Sequence, residues 1–223
     1  MTFNKEIYDE YCQRGLCEGI GEESGSVCIE AAFSLAAGFG FTDQPACVDG
    51  ELNGLLMNMN DSVWYNNEER SKGLYKIGLA QLGTVKLDTH NLRIAVTNKQ
   101  VEQILPKVLK VITHSYPDSV SSVLINTISE HIRFEDFEEA IDFIANSDLP
   151  KHNKSSLIDF VSVLGDVEYD LENAMSVMLY YKHIMAQNGD GLTHEQVMKE
   201  LSDMVIQALI ELGHTNELEE YWK

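Results

Sequence analysis

The sequence predicts a mainly α-helical protein, with an N-terminal helical module followed by a helical bundle or array of antiparallel helical hairpins. Three observations carry that reading. Apolar residues recur at the i, i+3, i+4 spacing of a helix along most of the chain. Glycine, proline and aspartate clusters interrupt the pattern at intervals of roughly 10 to 20 residues. Only one short stretch has a composition better suited to strands. With 223 residues, 44% of them hydrophobic, the chain is long enough to bury a core in one large domain or two small ones.

The elements follow in order. Residues 6–13 suit a short helix, and residues 15–25 read as a loop because Gly19, Gly21 and Gly25 are costly inside helices. Residues 27–37 are nearly all apolar and predict a buried central helix, capped by Ser24 or Ser26 and closed at Gly38 and Gly40. After the turn at Thr42, Asp43, Gln44 and Pro45, a third helix is spaced by Val48, Leu52, Leu55, Leu56 and Met59. A fourth covers residues 67–81, with Leu74, Ile77, Gly78 and Ala80 inward and Gly83 as its stop.

Residues 84–98 break the pattern: 84–87 and 92–96 read as short strands and mark a junction between a compact module, 1–83, and a C-terminal helical domain, 99–223. That domain opens with one face of Val101, Ile104, Leu105, Val108, Val111 and Ile112. Pro117, Asp118 and Ser119 then start a helix over Val120, Val123, Leu124 and Ile128. Further helical runs occupy 134–145, 155–164, 171–187, 193–212 and 216–222, and Thr193 with Gln196 spells a capping box. Short connections make neighbouring helices antiparallel. No fixed-period repeat marks a solenoid.

Charge narrows the function. Thirty-six Asp and Glu against 16 Lys and Arg give a formal net charge of -20, which repels phosphate backbones and anionic bilayers. Direct nucleic-acid binding and membrane association are therefore not expected. The acids are spread along the chain, as a solvated exterior requires, and such a surface also suits a basic partner or mimicry of nucleic acid. No apolar stretch has signal-peptide or membrane-spanning length, and Cys12, Cys17, Cys28 and Cys47 do not have the layout of a small disulfide scaffold. Reduced thiols in a cytoplasm are expected.

No cofactor or metal site emerges. The Gly19 to Gly25 loop lacks phosphate-loop spacing and carries Glu22 and Glu23, which repel phosphate. The cysteines contain no close zinc-gripping pair. A calcium-loop pattern starting at Asn58 has Val63 where glycine is required, and one around Asn188 to Gly191 has Ala186 and Val197 at its end ligand positions. Cys47 lies near Asp43 before a helix start that lowers a thiol's pKa, but only distant histidines, such as His90, His114 or His131, offer a base.

Two segments are candidate binding surfaces. Asn60, Asp61, Trp64 and Arg70 place polar groups beside an aromatic between apolar helices: Asp61 or Ser62 caps the next helix, Trp64 anchors it and Arg70 pairs with Asp61 or Glu69. Alternatively, Trp64 stacks a small planar ligand whose polar groups Arg70 and Asn60 fix, with Asp43 and Cys47 completing the set. The run of Met175, Met178, Tyr180 and Tyr181 is apolar enough for either core packing or an interface with a host protein or a second copy.

Residues 28–84 also carry a mosaic: Cys28, Glu30-Ala31-Ala32, Ala36-Ala37-Gly38, Asp43-Gln44-Pro45-Ala46-Cys47-Val48, Asn60-Asp61-Ser62 with Trp64, Arg70, Gly73-Leu74 and Ala80-Gln81-Leu82-Gly83-Thr84. This mosaic resembles an uncharacterised family of short bacterial and bacteriophage proteins. The resemblance implies a phage or mobile-element origin, a host cytoplasm as the site of action, and residues 99–223 as a separate addition. It implies no activity. The resulting expectation is a non-catalytic acidic binding protein, a phage accessory protein that binds and inhibits a host defence factor. The alternative is a protein that sequesters a small molecule or nucleotide signal, and third comes an enzyme using Cys47 or the Asp43 and Asp61 carboxylates.

Overall fold

A computed structural model describes residues 2–113, 118–133 and 136–223. These residues are mainly α-helical, with no named strand among them, only an isolated bridge between Gly21 and Val27. Contacts within the chain divide it into two compact units: Met1–Leu92 together with Thr193–Lys223, and Arg93–Leu192.

The first unit is built around α4 (Asn67–Ala80), against which α1 (Lys5–Arg14), α2 (Ile29–Ala37), α3 (Gly50–Asp61), α11 (His194–Glu211) and α12 (Glu219–Trp222) all pack. Its starts are set by short polar side chains that accept from free amides of the first turn. Asn4 caps α1, Asp49 caps α3 and Asn66 caps α4. The expected cap of α2 by Ser24 or Ser26 is corrected: the Cys28 thiol accepts from the Ala31 amide at 3.3 Å. The bridge to Gly21 keeps Val27 extended, so the helix cannot begin sooner. As expected, α2 is buried almost throughout, and Gly38 ends it in the left-handed region at φ 80°.

The strands expected in 84–98 are likewise corrected. Thr84–Lys86 forms a 3-10 turn and α5 (Thr89–Gln103) contains the whole second segment. The Asp88 carboxylate accepts from the amides of His90 and Asn91, which starts a helix despite the β-branched residues that follow. The 3-10 turn is stitched to the start of α3: Thr84 Oγ1 accepts from the Asp49 amide at 3.0 Å, and Thr89 donates to the Asp49 carboxylate at 2.6 Å. Two hydrogen bonds across 35 and 40 residues outweigh a local strand preference.

In the second unit, α6 (Leu105–Ile112), α7 (Asp118–Arg133), α8 (Phe137–Ala145), α9 (Lys151–Asp166) and α10 (Asn173–Gln187) pack chiefly on their sequence neighbours, with α6 also meeting α9 and α10. A bundle or array of helices is consistent with that pattern. Ile104, Val108, Leu157, Phe160, Val161, Leu164, Val177 and Met178 fill its core. The helix start expected at Pro117 and the one expected at Phe134 lie outside the described residues. The stretch Thr193–Lys223, assigned from sequence to the same domain as residue 99, packs instead with the first unit.

Candidate partner-binding site

Asn60, Asp61, Trp64 and Arg70 do come together, as a hub that fastens one loop, with Asn60, Trp64 and Arg70 buried and Asp61 exposed at its edge. The Asn60 amide donates to the Cys17 carbonyl and to the Asp61 carboxylate, both at 2.8 Å, while its oxygen accepts from the Ile29 amide at 3.2 Å. Arg70 donates to the Asn60 carbonyl at 2.7 Å, the Leu16 carbonyl at 3.0 Å and Asn67 Oδ1 at 2.7 Å. Asp61 accepts from the Gly19 amide at 2.8 Å, and Ser71 Oγ accepts from the Leu16 amide at the same distance. Six loop and helix backbone groups are thereby satisfied, as backbone removed from water demands.

The expected helix-capping and ion-pairing roles are therefore redistributed. Asn66 caps α4 in place of Asp61 or Ser62, and Arg70 serves carbonyls and an amide oxygen where a carboxylate partner was expected. Trp64 is an anchor: only 7% exposed, its indole N–H donates to the Met59 carbonyl at 2.8 Å. Its ring fills the space over Gly73, where any β-carbon would overlap it, and His194 meets it edge-on at 6.4 Å. The stacking face required by a planar ligand is occupied by the protein itself.

Burying Trp64 has an opposite effect on its two neighbours. Val63 is 80% exposed and Tyr65 84% exposed. The turn that displays them is held on both sides, since Ser62 donates to the Met59 carbonyl and the Tyr65 amide donates to Glu195 at 2.8 Å. The Glu195 carboxyl is held below its usual range by backbone and side-chain donors, first its own amide, then Thr193 and Tyr65. Through the Gly19 to Asp61 bond the loop bearing exposed Glu18, Ile20, Glu22 and Glu23 is fastened to the same turn. Nearby Lys72 pairs with Glu68 and Glu69, and Lys199 with Glu69. Val63 and Tyr65 thus stand exposed on a fastened turn, with Glu18, Glu22 and Glu23 exposed on the loop tied to it. No periodicity in the sequence marks it, because the three residues of the turn alternate out, in, out only once.

Asp43 and Cys47 are not part of this hub. Cys47 lines a separate open cleft of about 490 Å³ with Lys86, His214 and Glu217. Burial pushes its thiol pKa up, as it does for the other three free cysteines, with Cys12 and Cys28 reaching about 12. His214, a neighbour that sequence spacing did not single out, has its pKa lowered by burial. Its Nε2 bonds the Ala80 carbonyl at 2.9 Å and its ring stacks on Trp222. A raised thiol beside an imidazole engaged elsewhere is not an activated nucleophile and base. His90 is exposed, His131 belongs to the second unit, and His114 lies outside the described residues. Among the described residues, no three His, Cys, Asp or Glu side chains gather as a metal-binding group.

In the second unit Met178 and Tyr181 are buried, whereas Met175 and Tyr180 are half-buried. Lys107 lies 5.6 Å over the Tyr181 ring, and the Tyr180 hydroxyl donates to Asp159 at 3.2 Å. The buried pair packs α10 into its own unit and offers no face to a partner. No family model, curated protein or solved structure matches the chain. No helix among the described residues is long and apolar enough to cross a membrane.

Proposed function

We propose that this protein is a non-catalytic binding protein whose first unit holds a basic partner protein on the Val63 and Tyr65 turn. The observation that carries the reading is the pairing of two large, outward side chains with a locked backbone. Tyrosine gives wide amphipathic contact, and a turn already held in place loses little freedom on binding. Glu18, Glu22 and Glu23, exposed on the loop tied to that turn, favour a positively charged partner, and the net charge of -20 steers such a partner from a distance. The resemblance of residues 28–84 to short bacterial and bacteriophage proteins supports reading that partner as a bacterial host protein, and inhibition of a host defence factor is the role such a context suits.

The test is capture from bacterial lysate with the intact protein and with a Val63→Ser, Tyr65→Ala double variant. The intact protein should retain one stoichiometric basic protein, and the double variant should bind it at least about tenfold more weakly, the loss of one central aromatic contact. Raising salt should slow association more than it speeds dissociation. Retention of no stoichiometric protein, or equal retention by the double variant, would sink the proposal.

A further inference from the structure

The first unit contains a second polar cluster whose character is opposite to that of the Asn60 and Arg70 hub. Glu30 and Ser34 stand four residues apart on α2 and so share one face of it, and Gln81 ends α4. All three are fully buried. Both Glu30 carboxyl oxygens, the Ser34 hydroxyl and both polar atoms of the Gln81 amide make no hydrogen bond. Burial raises the Glu30 pKa well above the usual carboxyl range, against the pull of Gln81 beside it, which lacks hydrogen-bond geometry, and the negative charge of Asp43 raises it further. Neither of these neighbours is a cation.

Such an arrangement needs compensation. One buried unpaired polar group costs about 1–3 kcal/mol, and a buried charge more. The hub 30 residues further along the chain satisfies every comparable group with a carbonyl or amide, so looseness of the fold does not account for the contrast. Four of the five unpaired atoms are oxygens. Carboxylate, hydroxyl and amide oxygens are the donors of hard cations, whereas zinc and softer metals take nitrogen and sulfur.

We propose that Glu30, Ser34 and Gln81, with Asp43 as a second carboxylate, form an internal site for a hard divalent cation of the Ca²⁺ or Mg²⁺ class. Binding displaces the proton that burial retains on Glu30, the two carboxylates then match the charge of such an ion, and the hydroxyl and amide oxygens supply neutral ligands. Water or backbone carbonyls complete the shell, as is usual for both ions. The ion ties α2 to the end of α4 and to the 42–45 turn. Its function is to hold the unit together, independently of the Val63 and Tyr65 face.

Calorimetry and thermal unfolding of the full-length, chelator-stripped protein test the site, with CaCl₂ and MgCl₂ as probes and NaCl and KCl as parallel arms. The expected result is one divalent ion bound per chain with a rise in Tm. Glu30→Gln, confirmed folded by circular dichroism, should abolish both, and Asp43→Asn should weaken binding at least about tenfold. Ser34→Ala, which strands no charge if Glu30→Gln does not fold, should also weaken binding. Absence of saturable binding by either divalent ion, saturation by Na⁺ or K⁺ alone, or unchanged binding in Asp43→Asn and Ser34→Ala would overturn the assignment. Val63→Ser with Tyr65→Ala should leave ion binding unchanged, so the two proposals fail separately.

Discussion

His214 shows how a single buried side chain couples this fold to pH. Desolvation lowers its pKa, against the pull of the Ala80 and Leu82 carbonyls and of Glu219. In the unfolded chain the same imidazole takes up a proton near its ordinary value of about 6.5. A group with a lowered folded pKa stabilises fully above the unfolded value, and that contribution is lost as pH falls through the folded one. Across about pH 7.5 to 5 His214 therefore lowers Tm as pH falls, while the Glu30 carboxyl, whose pKa burial raises well above the usual range, acts in the opposite direction. His214→Gln keeps a side-chain N–H for the Ala80 carbonyl and removes the titration, so its Tm should be lower at pH 7.5, by a margin that narrows as pH falls. An identical slope in the variant would assign the pH dependence elsewhere. Nothing in the sequence marks His214, since its partners Ala80 and Trp222 lie 134 and 8 positions away and one of them is a bare carbonyl.

The two inward glycines of α4 make the next argument. Glycine inside a helix is worse than alanine by about 1 kcal/mol, so both sites invite a stabilising exchange on propensity alone. At Gly73 a β-carbon would overlap the Trp64 ring, and at Gly78 it would overlap the Tyr8 hydroxyl and approach Ile29 Cδ1 at 2.8 Å. These neighbours are buried and engaged: Trp64 donates to Met59, and Tyr8 donates to the Tyr75 carbonyl at 2.9 Å. Overpacking a filled core costs about 1–3 kcal/mol, so it offsets or exceeds the propensity gain. Gly73→Ala and Gly78→Ala should each lower stability by roughly 1–2 kcal/mol, read from urea unfolding; an increase in stability at either site would show that the core there yields. The helical periodicity of α3 and α4 was legible because each turns one apolar face inward, and α2 was legible as a nearly all-apolar run between glycines. The role of Asn60 and Arg70 was not, although both stood out as polar residues between apolar helices. Their partners are carbonyls of Leu16 and Cys17, 54 and 43 residues away, and a carbonyl has no signature in a sequence. For the same reason the 84–98 segment looked extended: its β-branched side chains are visible locally, while the Asp49 and Thr84 tie is not.

The return of the chain to its first unit determines what a truncation does. α11 buries Val197, Met198, Leu201, Met204, Val205 and Leu209, and together with α12 it covers α4. Below it, Asn216 donates to the Leu79, Ala80 and Leu82 carbonyls, closing the end of α4, and Glu217 accepts from the Phe3 amide at 3.0 Å. Burying one such apolar side chain contributes about 1.5–3 kcal/mol, so six of them compare with the whole stability of a domain, about 5–15 kcal/mol. No local feature reveals this allegiance, because the turn at Gly189 to Gly191 resembles those joining helices of one unit, and apolar spacing says that a face is buried without saying against what. A chain ended at Leu192 should keep a core in Arg93–Leu192, whose helices pack among themselves, and lose the fold of Met1–Leu92. It retains one of the two tryptophans, Trp64, inside the unit expected to open. Its fluorescence should shift to the red as water reaches the indole, while far-ultraviolet circular dichroism keeps a helical signal with a cooperative thermal transition. If Trp64 emission in the truncated chain stays as blue as in the intact protein, the first 92 residues hold their core unaided, and the closing helices would be an accessory to that unit with no part in its stability.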